Sequence, residues 1–141
     1  MKTWLVDAGP LIAYLDSGDP EHRSVALRLD DFKGQLLTTA AVVTEAMYFL
    51  SDIPAGPSSL ARLLVSSRTQ ISESVQAQHV VEAAKLMEKY SDIPMDFADA
   101  TLVLLGEEKA VTEIITLDRR GFSTFRTPKG KVFRNVLDGP T

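Results

Sequence analysis

Two rhythms of apolar residues alternate along the chain. Short continuous runs predict buried strands over Lys2–Asp7, centred on Trp4-Leu5-Val6, and over Gln35–Thr38. Spacings of three and four predict helices elsewhere. One covers Leu11–Leu15 with Pro10 in its first turn, and a second covers Glu21–Leu29 with Val25 and Leu29 four apart. Thr39 is placed to cap a helix running to about Leu50. Further helices are expected over Ser58–Ser67, over Ala77–Lys89 and over Asp96–Glu108, the last with Asp96 as N-cap. Proline and glycine make Ile53–Pro57 a loop, and Ser91–Met95 reads as a turn. Thr69–Ser74 and Glu113–Leu117 complete the main strands, with short strand candidates at Phe122–Phe125 and Val132–Phe133. Strands alternating with helices predict an α/β fold with a mainly parallel sheet. No repeat, low-complexity stretch or long linker divides residues 1–141, so a single domain is expected.

Composition narrows the chemistry. The 141 residues include no cysteine, which removes disulfides, thiolate metal sites and cysteine nucleophiles together. His22 and His79 are the only histidines and fall in unrelated helical segments, so an imidazole-based zinc site or dyad is not expected. Glycines never approach closely enough for a GxGxxG or GxxxxGK phosphate loop, and GxSxG is absent. No run is long and apolar enough for a membrane span, and Lys2 followed by Asp7 does not make a signal peptide, so no membrane partner and a cytoplasmic location are expected. The net charge of −4 is unevenly spread. Arg119, Arg120, Arg126, Lys129, Lys131 and Arg134 fall in one stretch that contains no acid. An acidic body with one basic segment is not a general nucleic-acid coat, but it can set a positive surface beside an acidic site.

Carboxylates in unusual places remain. Open α/β sheets bind ligands beyond the carboxyl ends of their strands. Asp7 and Asp118 each end a strand, and Asp96 and Asp99 open a helix that can start at the same rim. Glu45 has Ala41, Val42, Tyr48 and Phe49 as helical neighbours, so its charge needs a partner. Taken singly, each acid has a plain structural reading: a turn residue at Asp7 or Asp118, a cap at Asp96, a favourable charge at a helix start at Asp99, an arginine's partner at Glu45. Several acids meeting on one rim would repel one another unless a cation sat among them. Oxygen-only donors suit a hard ion, Mg²⁺ or Mn²⁺. Such ions can activate a water and clamp a scissile phosphate.

Four segments resemble the motifs of a PIN domain of the VapC toxin type. They are Trp4-Leu-Val-Asp-Ala-Gly-Pro-Leu-Ile-Ala-Tyr-Leu15, Thr44-Glu-Ala-Met-Tyr-Phe-Leu50, Pro94-Met-Asp-Phe-Ala-Asp-Ala-Thr-Leu-Val103 and Ile115-Thr-Leu-Asp-Arg-Arg-Gly-Phe122, in the family's order. The resemblance implies a Rossmann-like three-layer α/β/α sandwich with four to five strands and a metal-dependent endoribonuclease. It also implies a homodimer and a small inhibiting antitoxin. By motif, the catalytic acids are Asp7, Glu45, Asp99 and Asp118, with Asp7, Asp99 and Asp118 as metal ligands and Asp96 as a secondary ligand or cap. Thr116 matches a supporting hydroxyl. Ala8 and Gly121 depart from the pattern, standing where a hydroxyl residue and an acid are usual. Arg119, Arg120 and Arg126 are expected to contact RNA phosphates; the contrary reading is that the basic segment is a solvated tail. Three alternatives stay open: a PIN-like module that binds RNA or protein without cutting, a receiver-type domain phosphorylated on aspartate, and a nuclease for structured DNA.

Overall fold

The computed structural model describes residues 1–72 and 75–139. Lys2–Val6 forms β1, and Trp4, Leu5 and Val6 are all buried in succession. Successive strand side chains point to opposite faces, so both faces of this strand are covered. Asp7 then caps helix α1 (Ala8–Leu15), and α2 (His22–Asp30) leads into β2 (Gly34–Thr39). The Thr39 hydroxyl accepts from the Val42 amide and starts α3 (Ala40–Leu50). The chain continues through α4 (Gly56–Ser66), β3 (Gln70–Ser72), α5 (Ala77–Lys89), α6 (Phe97–Lys109), β4 (Glu113–Ile115) and α7 (Arg119–Thr124). It ends in β5 (Arg134–Asn135) and a 3-10 turn, Val136–Asp138.

The five strands pair in parallel in the order β3-β2-β1-β4-β5. The chain first builds outward from β1 through β2 to β3, then returns to place β4 on the other side of β1. The reversal lies between β1 and β4, the position at which open α/β sheets form a crevice at their strand ends. Asp7 and Thr116 follow the two strands that flank it.

Some expectations need correction. Phe122–Phe125 is not a strand but lies in and just after α7, with both rings fully buried and in edge-to-face contact at 5.2 Å between centroids. Their spacing of three puts both on one helical face, and Asp118 caps the helix through the Gly121 amide. The final strand sits two residues later than Val132–Phe133. Its register is set by Glu113 pairing with Arg134 and Ile114 with Asn135, while Val132 makes only an isolated antiparallel bridge to Arg126. Helix α4 begins inside the expected loop, because Pro57 suits the first turn of a helix. The strand expected over Thr69–Ser74 is observed at Gln70–Ser72; residues 73 and 74 lie outside the described residues. Among the described residues, no helix is long and apolar enough to cross a membrane.

Candidate functional site

A cavity of about 420 Å³ opens at the carboxyl end of the sheet, lined by Asp7, Glu45, Asp96, Asp99 and Asp118 together with the neutral residues Gly9, Pro94, Met95 and Leu117. Four separate segments deliver the five acids, and no basic side chain is in the lining.

Asp7 is the most enclosed. Its Oδ1 accepts from the Ala8 amide at 2.8 Å, and its Oδ2 accepts from the Thr116 hydroxyl at 2.7 Å. Burial raises its pKa, the Thr116 and Ala8 hydrogen bonds pull it back, and Asp96 and Asp118 push it up again. Thr116 is fully buried and works in two directions, because the Asp118 amide donates to its Oγ1 at 3.0 Å. One hydroxyl thus joins the acid of β1 to the acid after β4.

Asp96 and Asp99 form a reciprocal cap at the start of α6. The Asp99 amide donates to Asp96 Oδ1 at 2.8 Å, and the Asp96 amide donates to Asp99 Oδ2 at 3.1 Å. Asp96 is therefore an N-cap that also faces the cavity. Burial, then the charges of Asp7 and Asp96, raise the Asp99 carboxyl to about 8. Glu45, half-buried on α3, is raised to about 7 by burial first and then by Asp96 and Asp7. The cavity holds more negative charge than its own residues can neutralise.

Charge excess, oxygen-only donors and the absence of any competing cation in the lining fit a hard divalent ion. Among the described residues, no three His, Asp or Glu side chains stand close enough together to hold a metal ion between them. The ring is open, which suits an ion that keeps several waters and takes only one or two carboxylates directly.

The basic residues stand outside this lining. Arg119 is exposed and pairs with Glu21 at 3.3 Å and Asp138 at 3.4 Å. Arg126 turns its guanidinium onto the carbonyls of Ser123, Thr124 and Phe125, closing the end of α7. Arg120 is exposed and, among the described residues, makes no ion pair. The segment is not a solvated tail: Phe122, Phe125 and Phe133 are buried in the core, and Arg134 pairs with Glu113.

The chain from residue 4 to residue 127 matches the model of the PIN domain. The chain belongs to the PIN-domain family. This PIN domain is 30% identical over 131 residues to Ribonuclease VapC26 of Mycobacterium tuberculosis, an alignment that covers 92% of this chain and 96% of that one. Its fold matches the crystal structure of Mycobacterium tuberculosis VapC20, described as a sarcin-ricin loop cleaving toxin, with a TM-score of 0.71. That match covers 80% of this chain and 87% of the other at 17% identity, and shows the shared three-layer α/β architecture.

Two supporting residues of this PIN domain were not apparent from sequence. Asn135 is buried on β5 and donates from Nδ2 to the Thr116 carbonyl at 2.9 Å, fixing the strand end that presents the hydroxyl. Thr38 donates to the Val6 carbonyl at 2.8 Å, pinning the backbone just before Asp7. An asparagine two residues after the strand expected at Val132–Phe133 was the signal available, but its partner lies 19 residues away and depends on the β4–β5 register.

Proposed function

We propose that the protein is a metal-dependent endoribonuclease, the toxin of a toxin–antitoxin pair, acting at the five-acid cavity. The observation that carries the reading is the convergence of Asp7, Glu45, Asp96, Asp99 and Asp118 on one rim. Kinship with a VapC ribonuclease supports RNA as the substrate, and membership of the PIN family displaces the receiver-type alternative.

Asp7 and Asp99 would be the principal ligands of Mg²⁺ or Mn²⁺, with Asp118 and Glu45 completing the ring directly or through water and Asp96 adding charge. Bound there, the ion supplies Lewis acidity to a phosphodiester oxygen and to the water that attacks it. The remaining work falls to the chain. Thr116 holds the Asp7 carboxylate in one orientation and, with Ala8, favours its ionised form. The reciprocal cap keeps Asp99 at the rim. Thr116 also sets the backbone of Asp118. With Asp99 at about 8 and Glu45 at about 7, protons occupy part of the ring at neutral pH until a cation displaces them.

Arg120 is the basic residue freest to meet a phosphate, and Arg119 would have to leave Glu21 and Asp138 to do so. Arg126 contributes charge from the end of α7. A homodimer, a cytoplasmic location and an antitoxin that sets basic side chains over the acidic ring belong to the same reading. The test is cleavage of RNA, with DNA as competitor, by the wild type and by Asp7→Asn and Asp99→Asn, with and without Mn²⁺. Cleavage that needs the ion and is lost in both folded variants is expected. Cleavage that survives chelation or both substitutions would refute the site.

A further inference from the structure

Along a strand, successive residues turn their N–H and C=O toward alternate neighbours. The Ile115 carbonyl accepts from the Asp7 amide at 3.1 Å, so Ile115 faces β1. Thr112, whose carbonyl accepts from the Arg134 amide at 2.9 Å, faces β5, and Ile114 is in register with Asn135 on the same side. By this alternation the backbone of Thr116 also faces β5. No strand is there to meet it, because β5 ends at Asn135 and the chain turns away in the 3-10 turn Val136–Asp138. Two buried backbone groups would then lack partners at the one residue that joins Asp7 to Asp118.

The Asn135 side chain takes the place of the missing strand. Its Nδ2 donates to the Thr116 carbonyl at 2.9 Å, and its Oδ1 accepts from the Thr116 amide at 3.4 Å. The same Oδ1 accepts from the Leu137 amide at 3.2 Å and caps the turn that ended β5. A carboxamide offers a donor and an acceptor side by side, which no hydrocarbon or carboxylate side chain of that length does. With its hydroxyl bonded to Asp7 and to the Asp118 amide, every polar atom of Thr116 has a partner, and both backbone partners belong to one side chain. The turn is held from outside in its own right: Arg28 Nε donates to the Val136 carbonyl at 3.0 Å, and Arg119 Nε donates to Asp138 at 3.4 Å. Asn135 is buried and stands outside the lining of the acidic cavity, so any effect it has on the acids runs through Thr116.

We propose that Asn135 is a positioning residue for the acidic ring. By holding both backbone groups of Thr116 it aims the one hydroxyl that orients Asp7 and sets Asp118, and so governs how tightly the ring holds a divalent ion. This rests on the metal-dependent nuclease reading above and adds a residue to it. That residue lies outside the four motif-like segments and beyond residue 127, where the match to the PIN-domain model ends. Partners that orient metal ligands from behind change metal affinity by about 10–100-fold, and Asn135 stands one step further back, behind such a partner.

The test uses Asn135→Leu, close in size but with neither donor nor acceptor, and Asn135→Ala as a second variant should leucine not pack. Leu64→Ala, a core truncation in α4 away from the cavity lining, controls for lost stability alone. Amide exchange followed by NMR on the metal-free full chain compares the Asp118 amide with that of Val103, buried in the middle of α6. In Asn135→Leu the Asp118 amide should exchange about tenfold faster relative to Val103, because its hydroxyl acceptor is no longer held. In Leu64→Ala that ratio should stay at the wild-type level. Titration calorimetry with Mn²⁺ on folded protein should show affinity about tenfold lower in Asn135→Leu and unchanged in Leu64→Ala. In a Thr116→Val background, Asn135→Leu should cost no further Mn²⁺ affinity, since the hydroxyl through which it acts is gone. A wild-type exchange ratio or wild-type Mn²⁺ affinity in Asn135→Leu would overturn the proposal, as would losses that add fully in the double variant. RNA cleavage by wild type is read separately. Cleavage in Mn²⁺ with an unaffected Asn135→Leu would sink the positioning role and leave the nuclease standing. A wild type that neither binds Mn²⁺ nor cuts RNA would refute the nuclease reading, and the exchange ratio would still decide whether Asn135 aims the hydroxyl.

Discussion

Thr116→Val tests how the acidic ring is held together. Valine keeps the buried shape and removes one oxygen. That oxygen donates to Asp7 Oδ2 at 2.7 Å and accepts from the Asp118 amide at 3.0 Å, inside a residue with no exposure to solvent. Loss of a hydrogen bond to a charged group costs about 1.5–3 kcal/mol, and an orphaned buried amide costs about 1–3 kcal/mol. The two overlap, so we expect about 2–4 kcal/mol of lost stability, seen in thermal unfolding as a melting temperature lower by roughly 5–15 °C. The functional effect is separate. The Thr116 hydroxyl lowers the pKa of Asp7, so its removal leaves that carboxyl more fully protonated and less able to hold a cation. Removing a group that orients a ligand lowers metal affinity about 10–100-fold, which titration calorimetry with Mn²⁺ on folded protein would read directly. Thr116→Ser keeps the hydroxyl and should recover the metal affinity. If Thr116→Val binds Mn²⁺ and cleaves RNA like wild type, the hydroxyl does not organise the site. If the serine variant is as impaired as the valine variant, the methyl group matters and the hydrogen-bond argument fails.

Other outcomes follow from the same geometry. Asp99 and Glu45 have folded pKa values raised to about 8 and about 7, so their contribution favours folding at low pH and is lost as pH rises through those values. The metal-free protein should therefore lose melting temperature between pH 5 and pH 8.5, Asp99→Asn should flatten that slope, and Mn²⁺ should restore stability at the alkaline end; a slope unchanged by the substitution would count against the charge excess. Arg120→Ala should weaken RNA binding and reduce its salt dependence by about one phosphate's worth, read from affinity against salt concentration. Gly121→Ala places a methyl 2.2 Å from Asp118 Oδ2 and 2.9 Å from the Phe125 ring, so the carboxylate must leave its cap on α7. The expected cost of the lost cap is about 1 kcal/mol in thermal unfolding, and an unchanged melting temperature would show that Asp118 does not need it.

Sequence carried the periodic elements well, because their hydrophobic faces and caps are local. Helix α5 has the expected ends, Ala77 and Lys89, and the caps by Thr39 and Asp96 were visible as residue types in place. The last part of the chain was harder. Phe122 and Phe125 suggested a strand by their aromatic character, yet a spacing of three and a capping aspartate before them specify a helical turn. The two-residue strand Arg134–Asn135 carries almost no pattern, and its place is dictated by partners on β4. The five acids could be nominated because each ends a strand or sits at a helix start or on an apolar helix face. Their supports could not: Asn135 and Thr38 act through backbone carbonyls on other strands, which only the register brings within reach. Arg119 illustrates the same gap, since its position after Asp118 suggested a phosphate contact while Glu21 and Asp138, remote in sequence, now occupy it.

The bond from Thr116 to Asp7 spans 109 positions of the chain. Protein synthesis runs from the first of these residues to the second, so a nascent polypeptide carries its leading aspartate long before the threonine that steadies it exists. Until β4 has slotted in beside β1, the acidic cavity lacks the wall that Leu117 and Asp118 supply. A chain interrupted before that point has no β4 to pair with β1 and no hydroxyl to orient its leading carboxylate.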